Sequence, residues 1–230
     1  MSDRYFPRQF LRHCNIAAVA GSMQPMLVGS PYCRVQGFGR NHPLAIPRVA
    51  TVLRLCEELG WVDESSLHEA PAADLASLVR FHDHEYVTAL RDADAAGQVT
   101  AAVRERFGFG TLENPLFPGV FTRAATAVGG SILAAELALD GRVVFHPAGG
   151  THHGRPGRAS GFCYFNDPVF AILTLLEHGV QRVLYVDLDA HHGDGVQDAF
   201  AGNPAVLTIS VHEGGRWPHS GAADDTGGGN

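Results

Sequence analysis

The chain contains the stretch Val183-Leu-Tyr-Val-Asp-Leu-Asp-Ala-His-His-Gly-Asp-Gly195, in which an apolar run gives way abruptly to charged residues. The four leading residues are apolar and favour β structure, which is typical of a buried strand. Asp187, Asp189 and His191 follow at alternate positions, and alternate residues of a strand point to one face. Two carboxylates and an imidazole beside a buried strand are costly unless compensated, and a divalent metal ion would compensate them. The alternative, a strand that enters an acidic surface turn, stays open at this point.

Composition limits the classes of function that need to be considered. With 230 residues, 45% of them hydrophobic and 18% charged, the chain can bury the core of one domain. The formal net charge of −7 argues against direct nucleic-acid binding. No apolar run reaches the roughly 18 residues of a transmembrane helix, so we expect no membrane partner. The cysteines are widely spaced without a CxxC pair, which favours reduced thiols in a cytoplasmic protein; they are Cys14, Cys33, Cys56 and Cys163.

Predicted strands alternate with predicted helices along most of the chain. The strands are expected at residues 26–28, 142–145, 183–186 and 205–211, and the helices at residues 48–59, 75–79, 82–90, 122–139, 168–178 and 195–201. This alternation predicts an α/β fold with a parallel sheet and helices on both faces. Ligands of such sheets bind beyond the carboxyl ends of the strands. The polar loops after Phe145, Val186 and Val211 are therefore expected to share one site.

The chain is expected to form one domain. Residues 1–25 show no clear periodicity and are predicted to be a loosely ordered extension, and residues 26–230 form the domain. Asp74 is the expected N-cap of the second helix. Gly129-Gly130 would weaken its helix, which suggests close packing against a neighbour. His82 and His84 are expected to be polar residues at a helix start.

A second polar cluster is the pair His152-His153, which Gly149-Gly150 and Gly154 flank. Two adjacent imidazoles on a glycine-rich loop can both reach into a cleft, and a carboxylate on the other ring nitrogen fixes the tautomer. Asp187 and Asp194 are available as such partners, which leaves Asp189 and His191 as metal ligands. A Zn²⁺ ion activates water and polarises a carbonyl, and a His–Asp pair transfers the protons. These parts predict a metal-assisted hydrolase of an amide or similar bond.

Three motifs in this order resemble the hallmark motifs of the histone deacetylase superfamily. They are Gly149-Gly-Thr-His-His153, Ser160-Gly-Phe-Cys-Tyr-Phe-Asn-Asp167 and Val186-Asp-Leu-Asp-Ala-His-His-Gly-Asp-Gly195. The bacterial branch, with its acetoin-utilisation deacetylases and acetylpolyamine amidohydrolases, is the more similar part of the superfamily. Further agreement comes from His42-Pro43 with Arg48, Asn114-Pro-Leu-Phe-Pro-Gly119 and Ser210-Val-His212. The resemblance covers roughly residues 26–230.

The resemblance implies an arginase-like α/β fold and Zn²⁺-dependent removal of acetyl groups from protein lysines or small amines. It implies Asp189 and His191 as zinc ligands, and a catalytic pair in which His152 is bound to Asp187 and His153 to Asp194. The implied substrate-binding residues are Gly161, Phe162, Trp217, Glu113 and Cys163, although Cys163 is equally typical of a small buried hydrophobe. Asp187, Asp189, His191, Ser210 and Val211 resemble a monovalent-cation site, with K⁺ as the candidate ion.

The chain also departs from the family pattern. The family carries a third metal ligand, an Asp, and a Tyr that stabilises the oxyanion, and both lie beyond the glycine-rich segment that ends at Asn230. Asp224 and Asp225 fall within that segment and do not match the ligand. Two protein ligands bind zinc more weakly than three. We therefore expect a truncated deacetylase that lacks the C-terminal part of the fold, so that the activity of the chain itself is an open question.

Two alternatives to a deacetylase follow from these departures. The chain could be an inactive remnant that binds an acyl-lysine or a protein partner without turnover. It could also be an arginase-like hydrolase with two manganese ions, although the Ser-Gly-Phe-Cys motif belongs to the deacetylases. The sequence does not predict which acyl substrate is used or how many copies of the chain associate.

Overall fold

The structure, a computed structural model, describes residues 25–34, 38, 42–63 and 65–226. Its strands are β1 (Met26–Gly29), β2 (Leu67–Glu69), β3 (Val144–Phe145), β4 (Val183–Asp187) and β5 (Val206–Ser210). Its helices are α1 (Arg48–Glu58), α2 (Leu75–Leu78), α3 (His84–Ala96), α4 (Ala101–Phe107), α5 (Val120–Ala138), α6 (Asp167–Glu177) and α7 (Asp194–Phe200). The extension predicted for residues 1–25 lies outside the described residues except for Pro25.

All described strand pairs are parallel, which confirms the predicted α/β class. The strands lie in the order β2-β1-β3 in one sheet, and β4 pairs with β5 in another, with Asp187 opposite Ser210. Within the described residues there are thus two parallel sheets and not the single sheet that the alternation predicted. Helix α5 packs on β1 and β3, α6 packs on β4, and α5 and α6 pack on each other. This helix pair therefore joins the two sheets.

One face of the β4–β5 sheet is covered and the other is exposed. Val183, Tyr185 and Val206 pack with residues of α6 and α7 in a small core. The opposite face carries apolar side chains that are 42–60% exposed in the described structure: Leu184, Val186, Leu207 and Ile209. Parallel sheets are ordinarily covered on both faces, so this exposed row is unusual for a parallel sheet.

Local signals in the sequence account for several helix starts. Asp74 accepts a hydrogen bond from the Ser77 backbone nitrogen at 2.8 Å, which confirms it as the N-cap of α2. Asn166 caps α6 in the same way, by accepting from Val169, and Pro168 lies in the first turn. Most predicted elements agree with the structure to within two residues.

The glycine pair in α5 permits two close approaches. A Cβ on Gly129 would lie 2.0 Å from the carbonyl oxygen of Pro71, and a Cβ on Gly130 would lie 2.4 Å from the ring of His146. The His146 ring in turn lies within hydrogen-bond distance of the carbonyls of Val28 and Ala127. The predicted close packing at Gly129-Gly130 is confirmed, and it seats α5 against the first sheet.

The expectation for His82 is wrong, whereas that for His84 is confirmed. His84 begins α3, but His82 precedes the helix and is almost fully buried. Its Nδ1 lies 3.0 Å from the carbonyl oxygen of Arg155, and its Nε2 accepts the backbone N–H of Asn166 at 3.1 Å. Burial lowers the pKa of His82 to about 4. The sequence did not indicate that His82 is a buried hydrogen-bonding residue, because its partners lie more than 70 positions away.

Two elements were missed. Strand β2 is short and mostly exposed, and it lacks the apolar run that signals a strand. Helix α4 is also short, although Thr100 caps it by accepting from the Val103 backbone nitrogen. The main core packs α3, α5 and α6 around Tyr86, Phe109, Phe165 and Phe170. Among the helices of the described residues, none combines the length and the apolar character needed to cross a bilayer.

Candidate functional site

A cavity of about 590 Å³ opens beside the carboxyl ends of β3 and β4. The loops after β3 and β4 both line it, as the sheet topology predicted. The loop after Val211 contributes no lining residue, so the prediction that it shares the site is wrong; residues of α1 and α5 and the loops that precede them complete the wall instead. Its polar lining includes His152, His153, Asp189, His191 and Arg48, and its apolar lining includes Phe38, Leu44, Phe117, Phe162 and Phe165. Apolar walls with a few convergent polar groups are typical of a small-molecule site.

Two buried histidines at the cavity each bond to a buried carboxylate. Nδ1 of His152 lies 2.5 Å from Oδ2 of Asp187, and Nδ1 of His153 lies 2.7 Å from Oδ1 of Asp194. The centroids of the two imidazole rings are 3.9 Å apart. These are the pairings that the resemblance implied. Because Nδ1 of each neutral ring donates to a carboxylate, Nε2 of each ring is left as a proton acceptor.

The Asp187 carboxylate has further donors. Tyr185 donates its hydroxyl to Oδ2 at 2.7 Å, and the backbone N–H of Asp189 donates to Oδ1 at 3.0 Å. Burial alone raises the pKa of Asp187, but the hydrogen bonds from His152 and Tyr185 outweigh it and lower that pKa to about 2. Burial lowers the pKa of His152, but Asp187 outweighs it and raises that pKa above its ordinary value. The pair therefore favours a charged carboxylate beside an imidazole that protonates readily.

The Asp194 carboxylate has a different environment. Arg155 donates to its Oδ2 at 2.5 Å, and the backbone N–H of Gly195 donates to its Oδ1 at 2.8 Å. Burial raises the pKa of Asp194, but the His153 hydrogen bond and the charge of Arg155 outweigh it and lower that pKa. Asp194 thus stays ionised while it holds the His153 ring.

Asp189 and His191 lie in the loop after β4, at the edge of the cavity. The strand ends at Asp187, so the expected strand alternation does not extend to these two residues. The loop brings them together instead: Oδ1 of Asp189 accepts the backbone N–H of His191 at 2.8 Å and lies 2.9 Å from its Nδ1. A Cβ on Gly193 would lie 2.3 Å from Oδ2 of Asp187, so this glycine lets the loop pass close to the end of β4.

A carboxylate and an imidazole are donors that suit Zn²⁺, but a catalytic zinc site has three protein ligands. Within residues 25–34, 38, 42–63 and 65–226, no group of three His, Cys, Asp or Glu side chains is arranged to hold a metal ion. Asp225 is not part of such a group: it does not line the cavity, and its carboxylate accepts a hydrogen bond from Gln197 at 3.0 Å. Asp189 and His191 therefore fit two positions of a zinc site, and the described residues place no third ligand beside them.

The residues predicted for a monovalent cation meet at the end of the β4–β5 ladder. Asp187 lies opposite Ser210, and the Asp187 carbonyl accepts the backbone N–H of Val211 at 2.9 Å. Ser210 Oγ lies 2.9 Å from Nδ1 of His212. The backbones of Asp187, Ser210 and Val211 are thus adjacent. K⁺ binding at these residues stays a prediction.

Of the residues predicted to bind substrate, Gly161, Phe162 and Cys163 line the cavity, whereas Glu113 and Trp217 contact residues that line it. Gly161 and Phe162 both have positive φ, 54° and 69°, in a turn that lines the cavity. The ring of Trp217 lies 4.7 Å from that of His153 and 5.9 Å from that of His191. A Cβ on Gly161 would lie 2.5 Å from the Trp217 ring, so this close approach requires a glycine. The Trp217 ring therefore lies beside both His153 and His191.

Glu113 and Cys163 have clear structural partners. Oε1 of Glu113 accepts the backbone N–H of Gly161 at 2.8 Å, which braces the turn that carries Phe162. Cys163 lines the cavity but is buried, and burial raises the pKa of its thiol to about 12. A thiol with such a pKa is a poor nucleophile. Substrate contact by either side chain stays a prediction.

Sequence reasoning missed Tyr185, Arg155 and Asp167. Tyr185 lies two residues before Asp187 and on the same strand face, which was a usable signal. Asp167 is buried and accepts the backbone N–H groups of Gly150 and Thr151, so it shapes the loop before the histidines. The unassigned His192 lies 2.8 Å from Ser220 Oγ and 2.9 Å from Gln197 Oε1 and does not line the cavity, which fits a structural role.

Comparisons with known proteins identify the family of this chain. The family model described as "Histone deacetylase domain" matches residues 42–230. The acetoin utilization protein AcuC of Bacillus subtilis is 37% identical over 209 residues, which is 89% of this chain and 54% of that protein. Histone deacetylase 1 of Homo sapiens is 34% identical over 198 residues, 84% of this chain and 40% of that protein. The chain thus spans about half the length, or less, of these relatives.

Solved structures give the same result for the fold. A histone deacetylase homolog from Aquifex aeolicus superimposes with a TM-score of 0.80 at 38% identity, covering 85% of this chain and 52% of that chain. A structure of such a homolog complexed with SAHA matches with the same TM-score and identity. The arginase- and deacetylase-like α/β fold is therefore confirmed. With a family model that matches most of its length, this chain belongs to the histone deacetylase family.

Proposed function

We propose that this chain contributes to a zinc-dependent deacetylase that hydrolyses the acetyl-amide bond of acetylated lysines or small acetylated amines. The observation that carries the proposal is the pair of buried His–Asp hydrogen bonds beside Asp189 and His191 in one cavity. Proton transfer groups next to metal-ligand donors are the parts that amide hydrolysis needs. The names and family of the matched relatives support the same reaction.

In this proposal Asp189 and His191 supply two ligands for Zn²⁺, and a further residue outside the described set supplies the third. When bound, the ion supplies the Lewis acid that polarises the acetyl carbonyl and lowers the pKa of water. K⁺ is proposed at Asp187, Ser210 and Val211.

The chain's own residues provide the proton transfers. Asp187 and Asp194 orient His152 and His153 so that each Nε2 is the free nitrogen, and the cavity receives both rings. One imidazole takes the proton of the attacking water, and an imidazolium returns a proton to the leaving amine. A raised pKa of His152 favours the protonated form on that ring, which would stabilise negative charge on the substrate.

The acyl chain is proposed to enter between Phe162 and Trp217. The Trp217 ring lies 4.7 Å from that of His153, Phe162 lines the same cavity as the histidines, and aromatic walls suit the apolar stem of an acetylated lysine or amine. We keep a cytoplasmic location as a proposal, on the basis of four widely spaced cysteines without a CxxC pair.

Acetate release provides the test. The chain alone, and the chain fused after Asn230 to the remaining portion of the Bacillus subtilis relative, are incubated with Zn²⁺ and an acetyl-lysine peptide or an acetylated diamine. We expect the fusion to release acetate and its His153→Ala variant to lose at least about 100-fold in rate. A fusion that folds and binds Zn²⁺ but releases no acetate from either substrate would overturn the proposal.

A binding function without turnover is the second candidate. It is favoured by the described residues providing only two of three metal ligands. Binding of an acetylated peptide to the chain alone, measured by calorimetry with the unacetylated peptide as control, would support it. Turnover by the chain alone would exclude it.

A further inference from the structure

Arg155 contacts the site from outside the cavity, in a position that no motif had indicated. It follows His153 by two residues, and its guanidinium donates through one nitrogen to Oδ2 of Asp194 at 2.5 Å. The other terminal nitrogen bonds to the carboxylate of Asp198 and lies 3.4 Å from the Asp194 carbonyl oxygen. Arg155 therefore spans the first turn of α7 and does not line the cavity.

The two orienting carboxylates are held by different kinds of partner. Asp194 gives one oxygen to His153 and the other to a guanidinium, which is permanently charged. Asp187 instead receives His152 and the neutral Tyr185 hydroxyl on a single oxygen. Among the described residues, only the Asp194 side of the site is therefore anchored by a fixed cation.

Hydrogen bonds of the Arg155 backbone hold the residue in place beside Asp194. The backbone N–H of Arg155 donates to the Arg158 carbonyl at 2.9 Å, and the Arg155 carbonyl lies 3.0 Å from Nδ1 of the buried His82. The side chain of Asp194 is 7% exposed, so this ion pair is not an ordinary surface pair. Without the guanidinium, Oδ2 of Asp194 would lose its charged donor and could turn away from its present orientation.

We propose that Arg155 is a positioning residue, which fixes the Asp194 carboxylate so that Oδ1 receives the Nδ1 proton of His153. Arg155 acts through Asp194 and touches neither the cavity nor a substrate. Its importance for turnover rests on the deacetylase function proposed above, whereas the hydrogen bond that it fixes is a property of this chain alone. The planar guanidinium of Arg155 bonds to the carboxylates of both Asp194 and Asp198, which fixes its orientation. A lysine ammonium, which acts as a single point charge, would not be fixed in this way.

The test is proton NMR of the two imidazole Nδ1–H groups in the metal-free chain. Hydrogen bonds to carboxylates shift these protons far downfield, and Asp187→Asn and Asp194→Asn variants assign them to His152 and His153. In Arg155→Met we expect the His153 proton to exchange with water about 10-fold faster or more, while the His152 proton keeps its exchange rate. Arg155→Lys retains the charge but loses the planar guanidinium, so we expect the His153 proton to exchange at a rate between those of the wild type and Arg155→Met.

Arg80→Met is the matched control, because Arg80 is 26% exposed in its pair with Glu177 and Arg155 is 30% exposed in its pair with Asp194. We expect this control to leave both imidazole protons unchanged. An unchanged His153 proton in Arg155→Met, or equal acceleration at His152 and His153, would overturn the proposal. Should Arg155→Met fail to fold, Arg155→Lys decides: wild-type exchange at His153 overturns the proposal, and selective acceleration supports it. Neither zinc nor turnover enters the measurement, so it stays readable if the deacetylase proposal fails.

Discussion

Nδ1 of His152 and a carboxylate oxygen of Asp187 lie 2.5 Å apart although 35 residues separate them in the sequence. This bond joins the loop after β3 to the end of β4, two strands that belong to separate sheets in the described structure. Helices α5 and α6 bridge the same two sheets. The site thus lies where a helix pair and a His–Asp hydrogen bond hold two sheets together.

The first prediction concerns this bond. Asp187→Asn keeps the size of the side chain but replaces an acceptor-only carboxylate with an amide, so His152 loses the partner that fixes its tautomer. We expect the deacetylation rate of the Zn²⁺-loaded fusion to fall by at least about 10- to 100-fold. Asp92→Asn, which alters an exposed carboxylate paired with Arg91, is the control and should retain the rate. A rate within twofold of the wild type for Asp187→Asn would contradict the prediction.

The second prediction concerns the proposed zinc ligands Asp189 and His191. His191→Ala removes one of the two donors, so we expect the Zn²⁺ affinity of the fusion, measured by calorimetry, to fall by more than about 100-fold, beyond the usual cost of losing an outer partner. His192→Gln is a control one residue away, since His192 bonds to Ser220 and Gln197. Equal affinity losses in the two variants would argue against His191 as a ligand.

The third prediction is a pH dependence of stability. The pKa of His82 is lowered by burial to about 4 from an ordinary value of 6.5, so the unfolded chain takes up its proton first as the pH falls. His82 therefore does not reduce the free energy of unfolding above pH 6.5. As the pH falls from 6.5 to about 4, that free energy decreases by on the order of 3 kcal/mol. Urea unfolding at several pH values should show a flatter dependence for His82→Gln. The same slope in both proteins would refute this assignment.

The fourth prediction concerns Gly129 in α5. Replacing a helical glycine by alanine ordinarily stabilises by about 1 kcal/mol, but the new Cβ would lie 2.0 Å from the Pro71 carbonyl oxygen. We expect Gly129→Ala to lower the free energy of unfolding by about 1–3 kcal/mol. At Gly202 a Cβ would have no neighbour within 4 Å, so Gly202→Ala should stay within about 0.5 kcal/mol of the wild type. Stabilisation by Gly129→Ala in urea unfolding would contradict the packing argument.

The fifth prediction concerns the exposed face of β4–β5. Apolar side chains on an uncovered parallel sheet promote association, so we expect the chain alone to self-associate as its concentration rises. Light scattering after size-exclusion chromatography should show less association for the double variant Leu184→Glu, Leu207→Glu. Leu112→Glu is the control, because Leu112 is 98% exposed and is not part of that face. A wild-type chain that stays monomeric at every concentration would contradict the prediction.

Much of the local structure followed from short-range signals. The apolar run before Asp187 predicted β4, and the Asp74 cap and the spacing in residues 48–59 predicted α2 and α1. His82 shows where such signals fail. Its polar character suggested a helix start, but contacts with Arg155 and Asn166 determine its burial, and no local pattern encodes them.

The sequence by itself determined the family, the parallel α/β class and the pairing of His152 and His153 with carboxylates, because these depend on motifs and on local periodicity. Only the tertiary structure showed that Arg155 anchors Asp194 and that Glu113 braces the turn at Gly161. It also showed that Asp189 and His191 meet through a loop after the strand has ended. The contacts of Arg155 and Glu113 join segments remote in sequence, so the folding of the whole chain sets them and residue spacing does not, whereas the contact between Asp189 and His191 depends on where β4 ends.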